Sequence, residues 1–188
     1  MSTLSVTNLK HESATGNNIV LASDGTATFA EVISASKGIA FPATQVSSAN
    51  ANTLDDYEEG TFTPTINRFS TNPSVTYTAQ YGYYRKIGTL VFVVVDVNAS
   101  SISGGSGNCY IGGIPFNPPS LSNNFPVPNF RDATALTCSA NNIISGYVHP
   151  TDPRVYLTQD NITTNSSSAV SSWDASGRVT FSLTYITS

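Results

Sequence analysis

The sequence predicts an all-β protein: a short intertwined amino-terminal β segment, then a β-sandwich or jelly-roll-like domain. Three observations carry that expectation. Apolar residues alternate with polar ones in short runs, the signature of half-buried strands. Gly, Pro, Asn and Asp clusters punctuate the runs at intervals of roughly 8–15 residues, as in sandwiches and jelly rolls. No helical period persists long enough to build βαβ units. The composition agrees with a large, neutral, hydroxyl-rich surface. Of the 188 residues, 39% are apolar and only 11% are charged, against about 25% charged in typical domains.

Residues 1–42 read as a thin, weakly cored segment that needs partner chains. Leu4-Ser5-Val6-Thr7 alternates as a strand does, and Asn17-Asn18 leads into Ile19-Val20-Leu21. Asp24-Gly25 supplies the positive φ of a tight turn, and residues 26–33 alternate again. The segment holds few large apolar residues, and small cores are marginal. Intertwining three identical chains would give each strand a neighbour and remove open edges.

Residues 43–60 read as a linker. It is small and polar to Asn52, and Thr53-Leu54-Asp55-Asp56-Tyr57-Glu58-Glu59-Gly60 then suits one helical turn. Thr53 would cap that turn, and its acids would sit near the positive end of the dipole.

Residues 61–188 form the expected sandwich. Strand patterns occupy 61–66, 75–77, 81–87, 89–97, 109–111, 133–138, 143–149, 155–157 and 178–186. The β-branched run through Val93-Val94-Val95 suits a strand covered on both faces. Three stretches, 98–108, 115–129 and 159–177, read as long polar loops, where binding sites on β scaffolds usually sit.

Several functional classes lack their signals. Net charge is −4 with scattered Lys and Arg, so no basic stripe points to nucleic acid. Residues 1–6 lack the regions of a signal peptide. The longest apolar run, 90–95, is too short for a membrane span. Cys109 and Cys138 read as two separate thiols, with pairing left open. His11 and His149 stand far apart, and the acids at 55–59 lack calcium-loop spacing, so neither metal nor cofactor is expected. Asp152, Asp160 and Asp174 sit beside turn residues, which explains them without catalysis; the chain is not expected to be an enzyme.

Candidate binding residues lie along the third loop. Trp173 offers an aromatic platform, and Asp174, Asn161 and Asn165 offer hydrogen bonds to sugar hydroxyls. The alternative for Trp173 is an anchor in the core. Tyr147 and Tyr156 rank lower, because both fit alternating strands.

Two stretches carry a resemblance. Asn8-Leu9-Lys10-His11-Glu12-Ser13 with Asn17-Asn18-Ile19-Val20-Leu21-Ala22-Ser23-Asp24-Gly25-Thr26-Ala27-Thr28-Phe29 resembles amino-terminal segments of tail-fibre-like proteins of bacteriophages, especially those of cyanobacteria and other aquatic bacteria. Asn52-Thr53-Leu54-Asp55-Asp56-Tyr57-Glu58-Glu59-Gly60-Thr61-Phe62-Thr63-Pro64 is similar to the segment joining fibre shafts to a carboxy-terminal β domain, and Tyr83-Tyr84-Arg85-Lys86-Ile87-Gly88 continues the likeness. The resemblance implies a virion structural protein. It implies a homotrimer held to tail or baseplate proteins by its amino-terminal end, with a distal β domain that meets a host-surface glycan. A trimeric capsid decoration or cement protein is the alternative.

Overall fold

All regular structure among the described residues is β. The computed structural model describes residues 7–10, 12–13, 15–16, 19–23, 26–30, 33, 35–42, 44, 50, 53–120, 125–149 and 152–187. No helix among them is long and apolar enough to cross a membrane. The chain divides into two units, residues 1–40 and 41–188.

In the first unit β1 (Asn8–Leu9), β2 (Ile19–Leu21) and β3 (Ala27–Phe29) form an antiparallel meander. The Ala22 amide donates to the Thr26 carbonyl at 2.9 Å and closes the second hairpin. The expected strand at 4–6 and the Asp24-Gly25 turn lie outside the described residues. These strands pair with one another within the chain. Burial is what they lack. Leu9, Val20 and Phe29 are all exposed, and no described residue of this unit is buried.

The second unit is a β-sandwich. Its strands are β4 (Tyr57–Phe62), β5 (Thr65–Arg68), β6 (Ser74–Ile87), β7 (Leu90–Ser103), β8 (Cys109–Gly112), β9 (Asn129–Ala133), β10 (Asn142–Val148), β11 (Val155–Asn161), β12 (Ser166–Ala169) and β13 (Gly177–Ile186). One sheet runs β4-β6-β7-β13-β9. The other runs β10-β11-β8-β5, with β12 also paired to β11. A single core joins the inner faces: Val91, Val93, Val95, Val97, Val179, Phe181 and Leu183 from the first sheet meet Ile66, Ile111, Val148, Val155 and Leu157 from the second.

The first sheet follows from period-two patterning, with one correction. Within one chain the 90–97 run is covered on one face only. Val91, Val93, Val95 and Val97 are fully buried, whereas Leu90 and Phe92 remain 48% and 43% exposed. β-Branched composition reports fit to a pleated surface, not burial on both sides of it. The outer face of this sheet is therefore apolar and open.

The acidic stretch is also corrected. Residues 53–60 form no helical turn; Tyr57–Phe62 is an edge strand paired with β6. The pairing sets Glu58 across from Lys86 and Glu59 across from Arg85, so cross-strand cations, not a helix dipole, neutralise the acids. Asp56 and Lys86 form a buried ion pair, and Glu58 lies 4.0 Å from the same ammonium. Residues 57–60, the end of the stretch expected to be a linker, are thus strand.

Two further expectations shift. Of residues 133–138, only Ala133 extends, as the end of β9: the Thr134 amide donates to Asp132 Oδ1 at 3.0 Å, and the turn that follows drives Ala135 and Leu136 into the core. The strand beside β13 is instead β9. Of the expected loops, 98–108 is strand as far as Ser103, and 159–177 contains the end of β11 and all of β12. Gly177 (φ 139°) lets these turns approach: a Cβ there would stand 2.6 Å from the Thr134 carbonyl oxygen.

On the outer face, Arg178 holds Asp96 through both nitrogens of its fork, one at 2.7 Å. The Arg178 hydrogen bond is the main cause that keeps the Asp96 carboxyl below its ordinary pKa. A depressed folded pKa adds stability that is present above the unfolded value and is lost as pH falls through the folded one. Acid titration should therefore destabilise the wild type more steeply than Asp96→Asn below about pH 4, the ordinary carboxylate range. Parallel acid melts would show no difference in slope if the pair contributed nothing.

Candidate functional site

The outer face of the second sheet carries an aromatic row beside a polar groove. The β10–β11 register sets Tyr147 opposite Tyr156, Ser145 opposite Thr158 and Ile143 opposite Asp160. Their inward neighbours Val148, Val155 and Leu157 fill the core, so period two sends these residues outward. The Tyr147 and Tyr156 rings stack at 5.3 Å and 7°. Phe125 meets the Tyr147 ring edge-on at 5.5 Å, and Phe69 lies 5.2 Å from Tyr156. Tyr110, next along from Tyr156 on β8, packs on Phe69 at 5.4 Å. The Arg154 guanidinium sits 5.0 Å over Tyr110 and 5.6 Å over Phe69.

Next to this row lies a groove of about 770 Å³. Phe125, Val127 and Tyr147 form its apolar wall, Ser145 and Thr158 its floor, and Asp160, Asn161, Asn165, Ser166 and Ser167 its polar wall. A second depression of about 210 Å³ continues past Tyr156 to Phe69 and shares Tyr147 and Thr158 with the first. Apolar and aromatic lining with a few convergent polar groups is the usual make-up of a small-ligand site.

Two of the four candidate residues from the sequence lie here. Asn161 and Asn165 line the groove at the β11–β12 turn, and both also shape it. Asn161 Oδ1 accepts from the Thr163 and Thr164 amides at 2.9 and 2.8 Å. Asn165 adopts φ 53°, a left-handed conformation that Asn tolerates. Trp173 and Asp174 lie elsewhere. Trp173 packs against the core, and its Nε1–H donates to the Asn67 carbonyl at 3.0 Å. Asp174 accepts from Thr137 Oγ1 at 2.6 Å.

Sequence reading ranked Tyr147 and Tyr156 low because they fit strands, yet the strands are what place them. A usable signal was present: tyrosines at outward positions of two successive strands, with Arg154 between them. The Tyr156 hydroxyl donates to Asp152. Burial, and then this bond, raise its pKa, so it stays a neutral donor at ordinary pH. Asp152 also pairs with Arg154 at 3.1 Å. Of Asp152, Asp160 and Asp174, Asp160 alone lines the groove.

Cys109 is buried and Cys138 exposed, and both are free. Burial pushes the Cys109 thiol up to about 12, which leaves it an inert core group. Among the described residues no cluster of His, Cys, Asp and Glu suits a metal ion.

No family model and no curated protein matches the chain. Among solved structures, the Dettilon tailspike protein shares the fold at a TM-score of 0.52 and 21% identity. The similarity covers 69% of this chain but 23% of the tailspike, so the chain corresponds in fold to a minor part of that protein.

Proposed function

We propose that this chain is a bacteriophage virion protein of the tail-fibre type: a homotrimer attached to the tail or baseplate through residues 1–42, whose sandwich recognises a host-surface glycan. The observation that carries the recognition step is the groove beside the stacked Tyr147 and Tyr156. Ring faces stack on the C–H faces of a sugar, and Asp160, Thr158 and the serines of β12 answer its hydroxyls. The resemblance of residues 8–29 and 52–64 to tail-fibre-like proteins supports the virion assignment, and the shared tailspike fold is consistent with it. The reading is of binding without catalysis: glycosidases use two carboxylates flanking the scissile bond, and Asp160 stands in the groove without Asp152 or Asp174. Three copies on one particle would turn weak single-site affinity into firm attachment.

Adsorption to host cells tests this. Tyr147→Ala with Asp160→Ala should lower it at least tenfold, because losing about 1.4 kcal/mol per site is a factor of ten in affinity. The variant's mass and melting profile should stay close to wild type. Unchanged adsorption by the folded variant removes the groove from the reading. A wild-type protein that neither binds host cells nor competes with phage for them, and that locates to capsid axes in virions, establishes the cement alternative.

A further inference from the structure

We propose that the outer face of the β4-β6-β7-β13-β9 sheet is the surface through which copies of this chain associate. Cross-strand register assembles one apolar patch there. Tyr57, Ile87, Leu90 and Ile186 form one row, Arg85, Phe92 and Thr184 the next, and Tyr83, Val94 and Ser182 a third. Tyr57, Tyr81, Tyr83, Ile87, Leu90 and Phe92 are each between 40% and 56% exposed. Between Tyr83, Arg85 and Phe92 the face dips into a depression of about 550 Å³, room for an aromatic side chain from a neighbouring copy around a three-fold axis.

Three features select a second copy as the occupant. The charges set among these side chains are already matched within the chain: Glu59 with Arg85 at 3.1 Å, and Asp96 with Arg178. A partner of opposite charge finds nothing to complement, whereas a second copy brings the same apolar, internally neutral face. The size also fits. Four to five strands at about 4.8 Å spacing, over six or seven residues at about 3.3 Å, give a footprint on the order of 500 Å². With projecting side chains, that approaches the roughly 800 Å² per partner of a standard interface. Finally, the unit of residues 1–40 has no buried residue among those described, so the same chain carries a second region that association would cover. The glycan groove lies on the other sheet and is left free. The number three rests on the proposed function; the choice of surface does not.

Light scattering and hydroxyl-radical footprinting of the full chain test this. The wild type should have the mass of three chains, with Tyr81, Tyr83 and Phe92 oxidised several-fold more slowly than the exposed Phe125. Tyr83→Glu with Phe92→Glu should reduce the mass to one chain and keep the β-type circular dichroism. A trimer whose Tyr81, Tyr83 and Phe92 oxidise as fast as Phe125 overturns this surface and leaves the trimer standing. A dimer with the face protected supports the surface and overturns the three-fold count. A monomeric wild type overturns both, and protection in that monomer assigns the face to the chain's own cover. Footprinting uses the wild type, so it decides even if the double variant precipitates.

Discussion

Asp56→Ala is expected to lower stability by up to about 3–5 kcal/mol, the penalty for breaking a buried pair. Asp56 and Lys86 are 4% and 6% exposed. Removing the carboxylate leaves an ammonium with the Phe116 ring 5.7 Å away and Glu58 at 4.0 Å. Glu58 is partly in water and cannot repeat the bond. The carbonyl of the same Asp56 accepts from the Gly88 amide at 3.0 Å, so the pair sits where the β6–β7 turn meets the start of β4. Denaturant unfolding should show the midpoint falling with little change in slope. Asp56→Leu with Lys86→Met should recover most of the loss, because a well-packed apolar pair replaces a buried ionic one at little cost. A loss below about 1 kcal/mol, the scale of an exposed pair, would mean that Lys86 escapes to solvent.

Phe181→Ala is expected to cost a comparable 3–5 kcal/mol, the range for emptying an aromatic site in a core. Phe181 is 2% exposed and lies on β13, opposite Val95 of β7 and Phe130 of β9. Its ring meets Phe130 at 5.4 Å and 60°. Neighbours on both sides are held in ladders, so the cavity has little means of collapse. Phe181→Leu keeps most of the volume and should lose less. If calorimetry placed the alanine variant within about 1 kcal/mol of wild type, the site would have to be far more pliable than a packed interior.

The fold was legible where alternation is strict. Residues 178–186 read as a strand with Val179, Phe181, Leu183 and Tyr185 on one face, and those four are buried. It was illegible where the deciding partner is remote in sequence. The acids at 55–59 imitate a helix start, and only pairing with Arg85 and Lys86, some 26–30 residues on, makes them an edge strand. The candidate site shows the same division. Asn161 and Asn165 advertise a polar turn and do line the groove. The aromatic wall is built from Phe69, Phe125, Tyr147 and Tyr156, whose proximity depends on sheet register that no local window contains. Trp173 looked like a platform, yet its indole N–H finds the Asn67 carbonyl and its ring finds the core.

The two outer faces of the sandwich turn away from each other, with one core between them. Along every strand, neighbouring residues therefore answer to different selective demands. The residues that line the groove can change without disturbing the opposite sheet, and Leu90 or Phe92 can be tuned without touching the groove. Only the buried valines, Phe181 and their companions bind the two histories together. Substitutions at positions 145, 147, 158 and 160 would then reshape the groove on a scaffold that never registers the change.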